Sequence, residues 1–449
     1  MRANTFHLVS LGCAKNAVDS DSMAQLLRQG GYHPVNDIRE ASVLIVNTCG
    51  FIEPACRESF SVLHELARQK NDGQILVVAG CLTQRYGADV ARHVPGIDGI
   101  LGTRRWMDIL QVLGQLRKAP HPQPFYHLPD VPTVGLDEAD ILRASVAGAS
   151  AYLKIADGCR RPCAFCAIPL IKGPAVSRPM EAILNDARRL REMGVRELVL
   201  IAQDTTDYGH DLGMKDGLPA LLEGLTTAVP DMDWIRVMYA YPGYITDRLI
   251  EVMATHPQIL PYLDMPLQHV HPDVLRRMQR PANIDLVNRT LSKMRTVLPG
   301  IAIRTTFIVG YPGESEAEFQ VLLDFVEEMR FDRVGVFQFS FEPGTASEPL
   351  GDPIPTERKE ERYQRLMTLQ QNVSLQTNQS FIGKGLEVLI EGYDKGLSVG
   401  RSYRDAPEID GLVFAEGRAE VGIIVPVHIT GAMPYDLTGI LDSRANVTH

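Results

Sequence analysis

The sequence lacks any apolar run long enough to cross a membrane. Its most hydrophobic stretches, such as 197–202, have the length of one β-strand, whereas a membrane-spanning helix needs about 18 or more apolar residues. A lipoprotein signal ending at Cys13 is a poor match, because the apolar stretch before that cysteine is only about six residues long. We therefore expect a soluble, cytoplasmic protein with no membrane partner.

An excess of positive charge is also missing. The chain has 45 Lys and Arg against 55 Asp and Glu, which gives a net charge of -10. Proteins that hold nucleic acids usually carry the opposite balance, because neutralising phosphates supplies most of their non-specific affinity. We expect no tight nucleic-acid binding, and the charge favours a neutral or basic partner.

Size and composition exclude other classes. The chain has 449 residues, about three times a typical domain length, and is 45% hydrophobic and 22% charged, so it is neither disordered nor a disulfide-stapled miniprotein. Its seven cysteines are an odd number in a large chain with no secretory signal. Metal ligands or catalytic thiols are therefore expected rather than disulfides.

The first part of the chain alternates short β-rich runs with helical patterns. Strands are predicted at 7–11, 43–46, 75–79 and 97–101, and helices at 18–30, 56–70, 84–93 and 106–117. This pattern predicts a doubly wound parallel α/β domain over 5–117. The following 118–144 is predicted to be a linker, since residues 118–135 contain five prolines and no periodicity.

Alternation resumes in 145–378, the second predicted domain. Six strand-helix units indicate a partial (β/α)6 barrel, with strands at 152–157, 198–203, 234–240, 262–267, 302–309 and 333–340 and a connecting helix at 358–379. Short strands with glycines, at 386–390, 411–414 and 421–425, predict a small OB-like all-β barrel over 381–447. From 383 onward there are six basic and ten acidic residues, which suits a basic protein partner.

The strongest local motif is a C-x3-C-x2-C run directly after a predicted strand. Cys159, Cys163 and Cys166 can hold three irons of a 4Fe-4S cluster, which leaves the fourth iron free for a cofactor or substrate. A zinc ion is the alternative, but a closed zinc site needs a fourth ligand from elsewhere in the chain. A disulfide and free core thiols are the remaining readings.

Three further cysteines follow strands of the first domain. Cys13, Cys49 and Cys81 each come within two residues of a predicted strand end, and the carboxyl ends of parallel strands share one edge of a sheet. This placement indicates a second three-cysteine metal centre rather than buried structural cysteines. Cys56, on a predicted helix, is expected to be a packed thiol.

These motifs resemble the radical S-adenosylmethionine (SAM) superfamily, and the three-domain layout resembles its methylthiotransferase family, whose last domain is called TRAM. Members attach a methylthio group to a tRNA adenosine or to an aspartate of small-subunit ribosomal protein twelve. Three segments, 9–16, 401–411 and 435–439, resemble the ribosomal-protein branch. The acidic last domain agrees with a basic protein substrate, and tRNA remains the alternative.

The resemblance implies two 4Fe-4S clusters, one on Cys13, Cys49 and Cys81 and one on Cys159, Cys163 and Cys166, with SAM as radical source and methyl donor. It also implies an electron donor, and a substrate protein that is free or in the small ribosomal subunit. Five side chains near barrel strand ends either contact SAM or have a structural role: Gln203, Asp204, Arg236, Thr305 and Thr306.

A basic rim around the barrel cysteines is the remaining candidate feature. Four cations could attract a substrate carboxylate or simply be solvated, namely Arg160, Arg161, Lys172 and Arg178. Two rival classes stay open beside the methylthiotransferase: a zinc-dependent binding protein and an iron-sulfur electron carrier. The six-unit barrel argues against a carrier, which needs no substrate cavity of that size.

Overall fold

The computed structural model describes residues 4–118, 123–132 and 140–442. It contains a six-stranded sheet, a partial barrel built from two sheets, and a closed five-stranded barrel, in that order along the chain. Parts of the predicted linker, 119–122 and 133–139, lie outside the described residues, as does the end of the predicted last domain, 443–447. Across the described ranges, no helix has the length and apolar character of a membrane span.

The N-terminal sheet is entirely parallel, with strand order β2-β1-β3-β4-β5-β6. Its strands are β1 Thr5–Ser10, β2 His33–Pro34, β3 Val43–Thr48, β4 Ile75–Gly80, β5 Gly99–Gly102 and β6 Phe125–His127. Its helices are α1 Ala14–Gln29, α2 Glu53–Gln69, α3 Cys81–His93 and α4 Ile109–Leu116, the last preceded by a 3₁₀ turn at Thr103–Asp108. Separate apolar clusters cover its two faces, which confirms the doubly wound prediction.

One part of the predicted linker is a strand. β6 continues the N-terminal sheet as its edge strand, in parallel register with β5. Aromatic residues favour strands, and an edge strand tolerates nearby prolines because its outer N–H groups need no partner. The sheet therefore extends past the predicted end at residue 117, and the prediction missed this strand because proline dominates the local composition.

The partial barrel contains six parallel strands in chain order, with one antiparallel strand, β7, at its edge. The strands of this region are β7 Ala144–Ala147, β8 Ser150–Lys154, β9 Ala156–Asp157, β10 Val176–Ser177, β11 Glu197–Ile201, β12 Trp234–Val237, β13 Tyr262–Asp264, β14 Ala302–Val309 and β15 Arg333–Gln338. β8, β11 and β12 form one half and β13, β14 and β15 the other; a bridge between Ile235 and Ile259 connects them. The six-unit prediction is confirmed.

Helices cover the outside of this barrel. They are α5 Ile168–Lys172, α6 Met180–Glu192, α7 Gly217–Ala228, α8 Asp247–Thr255, α9 Pro272–Arg277, α10 Ile284–Val297, α11 Glu316–Met329 and α12 Thr356–Gln379, with 3₁₀ turns at Thr205–Asp207 and Glu348–Leu350. Alternate strand residues such as Leu198 and Leu200 pack outward against these helices in the largest apolar cluster. Their neighbours Val199 and Ile201 pack inward, as the two-residue period of a strand requires.

The C-terminal domain is a closed barrel with order β16-β17-β18-β20-β19. Its strands are β16 Gly385–Asp394, β17 Leu397–Ser402, β18 Val413–Glu416, β19 Ile424–Ala432 and β20 Leu437–Leu441. Gly400 permits β16 and β17 to approach closely, because a Cβ there would lie 2.1 Å from the Leu389 carbonyl oxygen. The small all-β barrel is thus confirmed.

A buried ion network joins the two barrels. The segment 401–410, which begins in the last two residues of β17, enters the inner face of the partial barrel, where Ala406 shares an apolar cluster with Tyr262 and with Leu389 of β16. Ion pairs of 2.5 to 3.3 Å join the domains, and they link Arg401 to Glu197, Arg404 to Asp332, Arg333 to Asp405 and Arg304 to Asp410. We call this set the barrel-TRAM network.

Glu197 of this network also holds a second arginine, Arg236 of β12. Its carboxylate accepts from Arg236 at 2.8 Å and from Arg401 at 2.6 Å, and all three side chains are at most 2% exposed. Burial alone would raise the pKa of Glu197, but the two guanidinium groups outweigh burial and hold that pKa at about 2. A depressed pKa means that this carboxylate stabilises the fold above its unfolded pKa of about 4.5.

We predict that Glu197→Gln lowers the free energy of unfolding by about 3 kcal/mol, because it leaves the buried Arg236 without its anion and Arg401 with only the partly exposed Glu391. The loss relative to the unchanged protein should be full above about pH 4.5 and shrink as the pH falls toward 2. Denaturant midpoints measured across this pH range test the prediction. Glu181→Gln, at a carboxylate 71% exposed in its side chain, is the control; equal midpoints for both variants would contradict the assignment.

Candidate active site

The barrel cysteines lie on the loop between β9 and α5, at the carboxyl end of the first barrel strand. The loop is fixed by backbone bonds from Cys159 N–H to Gly173 O, 3.0 Å, and from Ala164 N–H to Met278 O, 2.9 Å. Cys159, Cys163 and Cys166 all line one cavity of about 220 Å3. The C-x3-C-x2-C spacing therefore directs three thiols to the same space.

Polar and aromatic groups surround the middle thiol. An Arg280 N–H lies 3.3 Å from the Cys163 sulfur, and the Tyr241 hydroxyl lies 3.6 Å from it. The guanidinium groups of Arg280 and Arg161 both stack on the Tyr241 ring, with centroid distances of 4.4 and 4.6 Å. Such contacts orient a thiolate ligand and favour its charge.

The N-terminal cysteines meet at one edge of the first sheet. Cys13 and Cys81 stand at the starts of α1 and α3, and Cys49 directly follows β3, so the three follow the neighbouring strands β1, β4 and β3. The backbone is crowded here: a Cβ on Gly12, whose φ is +92°, would lie 3.1 Å from the Cys49 sulfur. Glycine at this position lets the Cys13 loop reach its partner.

Burial disfavours free thiolates at these positions. It raises the pKa of Cys159 to about 11 and those of Cys166 and Cys81 to about 12, and each neighbouring thiol contributes in the same direction. A bound metal reverses this balance because it supplies the positive charge that a buried thiolate lacks. The donor sets therefore fit a metal group.

The distances between the thiol sulfurs distinguish a site for an iron-sulfur cluster from a site for a single zinc ion. Tetrahedral zinc with Zn–S bonds of about 2.3 Å places its sulfurs about 3.8 Å apart. Within the described ranges, neither cysteine set has all three sulfurs within 4.8 Å of one another; His271, Asp273 and Glu318 do meet that limit. Both sets are therefore too open for one ion and fit the larger cluster.

The N-terminal cysteines stand next to residues that line the cavity of the barrel cysteines. Lys15 and Phe51, two residues beyond Cys13 and Cys49, line it together with the barrel cysteines. Its remaining walls combine apolar side chains such as Phe165 and Ile168 with polar ones such as Gln203 and Arg280. The N-terminal sheet edge thus covers the mouth of the partial barrel.

A buried group of charges fixes this arrangement, and we call it the interdomain ion group. Asp19 of α1 accepts from Lys154 at 2.5 Å, from Lys172 at 3.1 Å and from Arg143 at 3.3 Å, and Asp157 accepts from both lysines at 3.2 Å. All five side chains are at most 3% exposed. Burial opposes ionisation of Asp157, but Lys154 and Lys172 outweigh it and lower its pKa.

The five side chains considered for a SAM pocket separate into different environments. Gln203 lines the cavity, and Asp204 lies behind its wall, where it accepts from Arg161 at 2.6 Å. Arg236 does not line the cavity, because it lies deeper in the partial barrel, paired with Glu197. Thr305 and Thr306 are also absent from the lining; the Thr305 hydroxyl donates to Met265 O at 2.9 Å.

The basic rim is not free to bind an anion. Each of its cations already has a carboxylate partner within 3.1 Å, in the pairs Arg160–Asp207, Arg161–Asp204, Lys172–Asp19 and Arg178–Asp186. Three of the four side chains are buried. Sequence position alone could not show this, since the carboxylates come from other elements.

Sequence reasoning missed two cavity residues with unusual backbones. Tyr239 and Gln268, which follow β12 and β13, have φ of +61° and +72°, a region that non-glycine residues rarely adopt. Their positions at carboxyl strand ends were the available signal. Cys56 lies half-buried on α2 against the apolar cluster of the first domain, and burial raises its pKa to about 11.

Comparisons with known proteins agree with this layout. Residues 5–102 match the uncharacterized protein family UPF0004, residues 153–326 the Radical SAM superfamily and residues 382–441 the TRAM domain. The solved structure of the radical SAM methyltransferase TsrM from Kitasatospora setae superposes with a TM-score of 0.58, covering 77% of this chain and 74% of that one at 13% identity. That likeness shows the fold alone.

The fold and matched domains define a radical SAM protein with a UPF0004 domain before the barrel and a TRAM domain after it. A ribosomal protein uS12 methylthiotransferase RimO of Roseiflexus sp. (strain RS-1) is 47% identical, over 97% of this chain and 96% of that protein. A protein of the same name from Chloroflexus aurantiacus is 48% identical, over 97% and 99%. The chain belongs to this methylthiotransferase family.

We predict that Asp19→Asn loosens the contact between the first two domains. The change leaves Lys154 and Lys172 with one carboxylate instead of two, and a broken buried pair costs about 3 kcal/mol. Amide hydrogen exchange in α1 and α5 should then be about tenfold faster or more. Arg28→Gln, at an exposed position on the same helix, should leave exchange unchanged; equal rates in both variants would exclude a locking role for Asp19.

Proposed function

We propose that the protein transfers a methylthio group to the β-carbon of an aspartate in ribosomal protein uS12. The observation that carries this proposal is that the three barrel cysteines line one cavity whose wall also includes Lys15 and Phe51, two residues beyond Cys13 and Cys49. Cys13, Cys49 and Cys81 would hold one 4Fe-4S cluster, and Cys159, Cys163 and Cys166 the other, with SAM beside it. A carrier of electrons needs no substrate cavity beside two such sets.

The chemistry explains why two sets are needed. An aspartate β-carbon has an unactivated C–H bond, which no acid or base side chain can ionise at a useful rate. When bound, the two clusters and SAM supply a radical that removes this hydrogen, together with the sulfur and the methyl group that replace it. The protein itself positions these groups around one cavity.

The chain's own residues have three tasks in this scheme. Arg280 and Tyr241 hold Cys163 in a fixed orientation, and the pair of Asp204 and Arg161 fixes the wall on the Gln203 side. Apolar walls, including Phe165, exclude water, which would quench a reactive intermediate. The interdomain ion group keeps the two cysteine sets at a constant separation.

Charge on the TRAM domain supports a protein substrate over tRNA. Over its described residues, which end at 442, the exposed basic side chains are Lys384, Lys395 and Arg418, whereas the exposed acidic ones are Glu387, Glu391, Asp394, Glu408, Glu416, Glu420 and Asp442. Arg401 and Arg404 are buried in ion pairs with the partial barrel and cannot contact phosphates. We place the reaction in the cytoplasm, with a separate electron donor and with uS12 either free or in the small subunit.

We predict that deleting the gene makes uS12 lighter by CH2S, the difference between a hydrogen and a methylthio group. Intact-mass measurement of uS12 from cells with and without the gene tests this, alongside a nucleoside profile of their tRNA. The tRNA should be unchanged. An unchanged uS12 mass with a missing methylthio-adenosine would instead assign the enzyme to tRNA.

We predict that alanine substitutions in the two cysteine sets have different effects on SAM cleavage. Cys163→Ala should abolish SAM cleavage and remove about half of the iron, while the absorption of the other cluster persists. Cys49→Ala should also lose about half of the iron but still release deoxyadenosine from SAM. Cys56→Ala is the matched control and should keep all iron and activity. Cleavage of SAM by Cys163→Ala, or product from Cys49→Ala, would overturn the assignment.

A further inference from the structure

Lys15 differs from the other buried cations of this protein. Twelve lysine and arginine side chains are buried among the described residues, and eleven of them have a carboxylate oxygen within 4.0 Å. Lys15, only 7% exposed, has neither such an ion pair nor a hydrogen bond from its side chain within the described part of the chain. Buried charges are normally paired, so an unpaired one indicates a missing anion.

The Lys15 side chain lines the same cavity as the three barrel cysteines. Two other cations line this cavity, and both are engaged: Arg161 pairs with Asp204, and Arg280 donates to the Cys163 sulfur and to Pro266 O. Lys15 is thus the cation of the cavity wall that remains available to an incoming group.

An aromatic ring holds the ammonium group in place. The Lys15 nitrogen lies 3.1 Å from the centroid of the Tyr239 ring, a cation-π contact. Tyr239 keeps its strained backbone, φ +61°, because its N–H donates to Asp264 at 3.0 Å and its carbonyl accepts from Thr205 N–H at 3.1 Å. Strain of this kind persists where the surroundings fix it, and it is concentrated at functional sites.

The backbone beneath Lys15 is equally fixed. The Asn16 amide donates to Leu11 O at 2.6 Å and to Asn47 O at 3.2 Å, and the Asn47 amide donates back to Asn16 O at 3.0 Å. These bonds tie the start of α1 to the ends of β1 and β3. The position of the ammonium group is therefore set before any ligand arrives, which reduces the entropy lost on binding.

We propose that Lys15 binds the side-chain carboxylate of the substrate aspartate and thereby determines that an acid, not an amide, enters the cavity. This inference rests on the proposed function. The reacting β-carbon is bonded directly to the carboxyl carbon, so an ion pair to the carboxylate places the reacting C–H within the cavity. A site built to pair with a carboxylate discriminates against the neutral amide, because its cation is then left unpaired.

The test measures binding of uS12 to the anaerobic, cluster-loaded protein without a reductant, so that no turnover occurs. The probes are uS12 and its variant with asparagine at the modified aspartate. We expect the unchanged protein to bind the aspartate form about tenfold more tightly or better. Lys15→Met and the polar Lys15→Gln should bind both forms equally, and Lys15→Arg should keep the preference.

Lys215→Met, at an exposed lysine on the barrel, is the matched control and should keep the full preference. Iron content and Tm of each variant establish that it is folded and loaded. Retention of the aspartate preference by both Lys15→Met and Lys15→Gln would overturn the inference. A variant that changes only SAM affinity or a cluster midpoint potential would also overturn it, since Lys15 would then serve the cofactors.

Failure of the proposed function is distinguishable from failure of this inference. If the unchanged enzyme modifies tRNA and not uS12, both are wrong. If it modifies uS12 but binds the aspartate and asparagine forms equally, the reaction stands and the role of Lys15 is rejected.

Discussion

The buried contact between Asp19 and the lysines at positions 154 and 172 is the constraint on which the site depends. Charges at most 3% exposed are stable only while each keeps its partners, because no water replaces a lost one. Asp19 belongs to the helix that begins after Cys13, whereas Lys172 ends the short helix that follows Cys166. One set of ion pairs therefore fixes both cysteine sets relative to each other, and any sliding of the first domain leaves uncompensated charges.

The opposite end of the partial barrel is closed by the same kind of interaction. Segment 401–410 fills the inner face of the strands with ion pairs, so Arg236 serves the fold rather than a cofactor. The TRAM domain thus has two separable surfaces: a buried one that uses its arginines, and an exposed one left rich in acids. Because Arg401 and Arg404 are buried against the partial barrel, they do not offset the acidic charge that the domain exposes to a basic partner.

Strand and helix order could be predicted from the sequence because periodicity and strand-end position are local properties. The same rule that places ligands at carboxyl strand ends brought Cys13, Cys49 and Cys81 to one edge. Partners could not be predicted, since they come from distant segments: Arg161 meets Asp204, and Arg236 meets Glu197. Strand β6 was missed because the prolines around it outweighed two aromatic residues in the local pattern.

Ion pairing also explains why the basic rim, which the sequence indicated as an anion site, is not available to a ligand, whereas Lys15 is. Cations near a cysteine motif indicate an anion-binding site in a sequence. Those around Cys159, however, are each paired with a carboxylate of the protein itself. Lys15 stands beside the other cysteine set, where its neighbours are a tyrosine ring and the open cavity. In a protein that pairs its other buried cations internally, the unpaired one identifies where a charge from outside must arrive. The partner it lacks is an anion, and the substrate's own carboxylate adjoins the carbon that reacts.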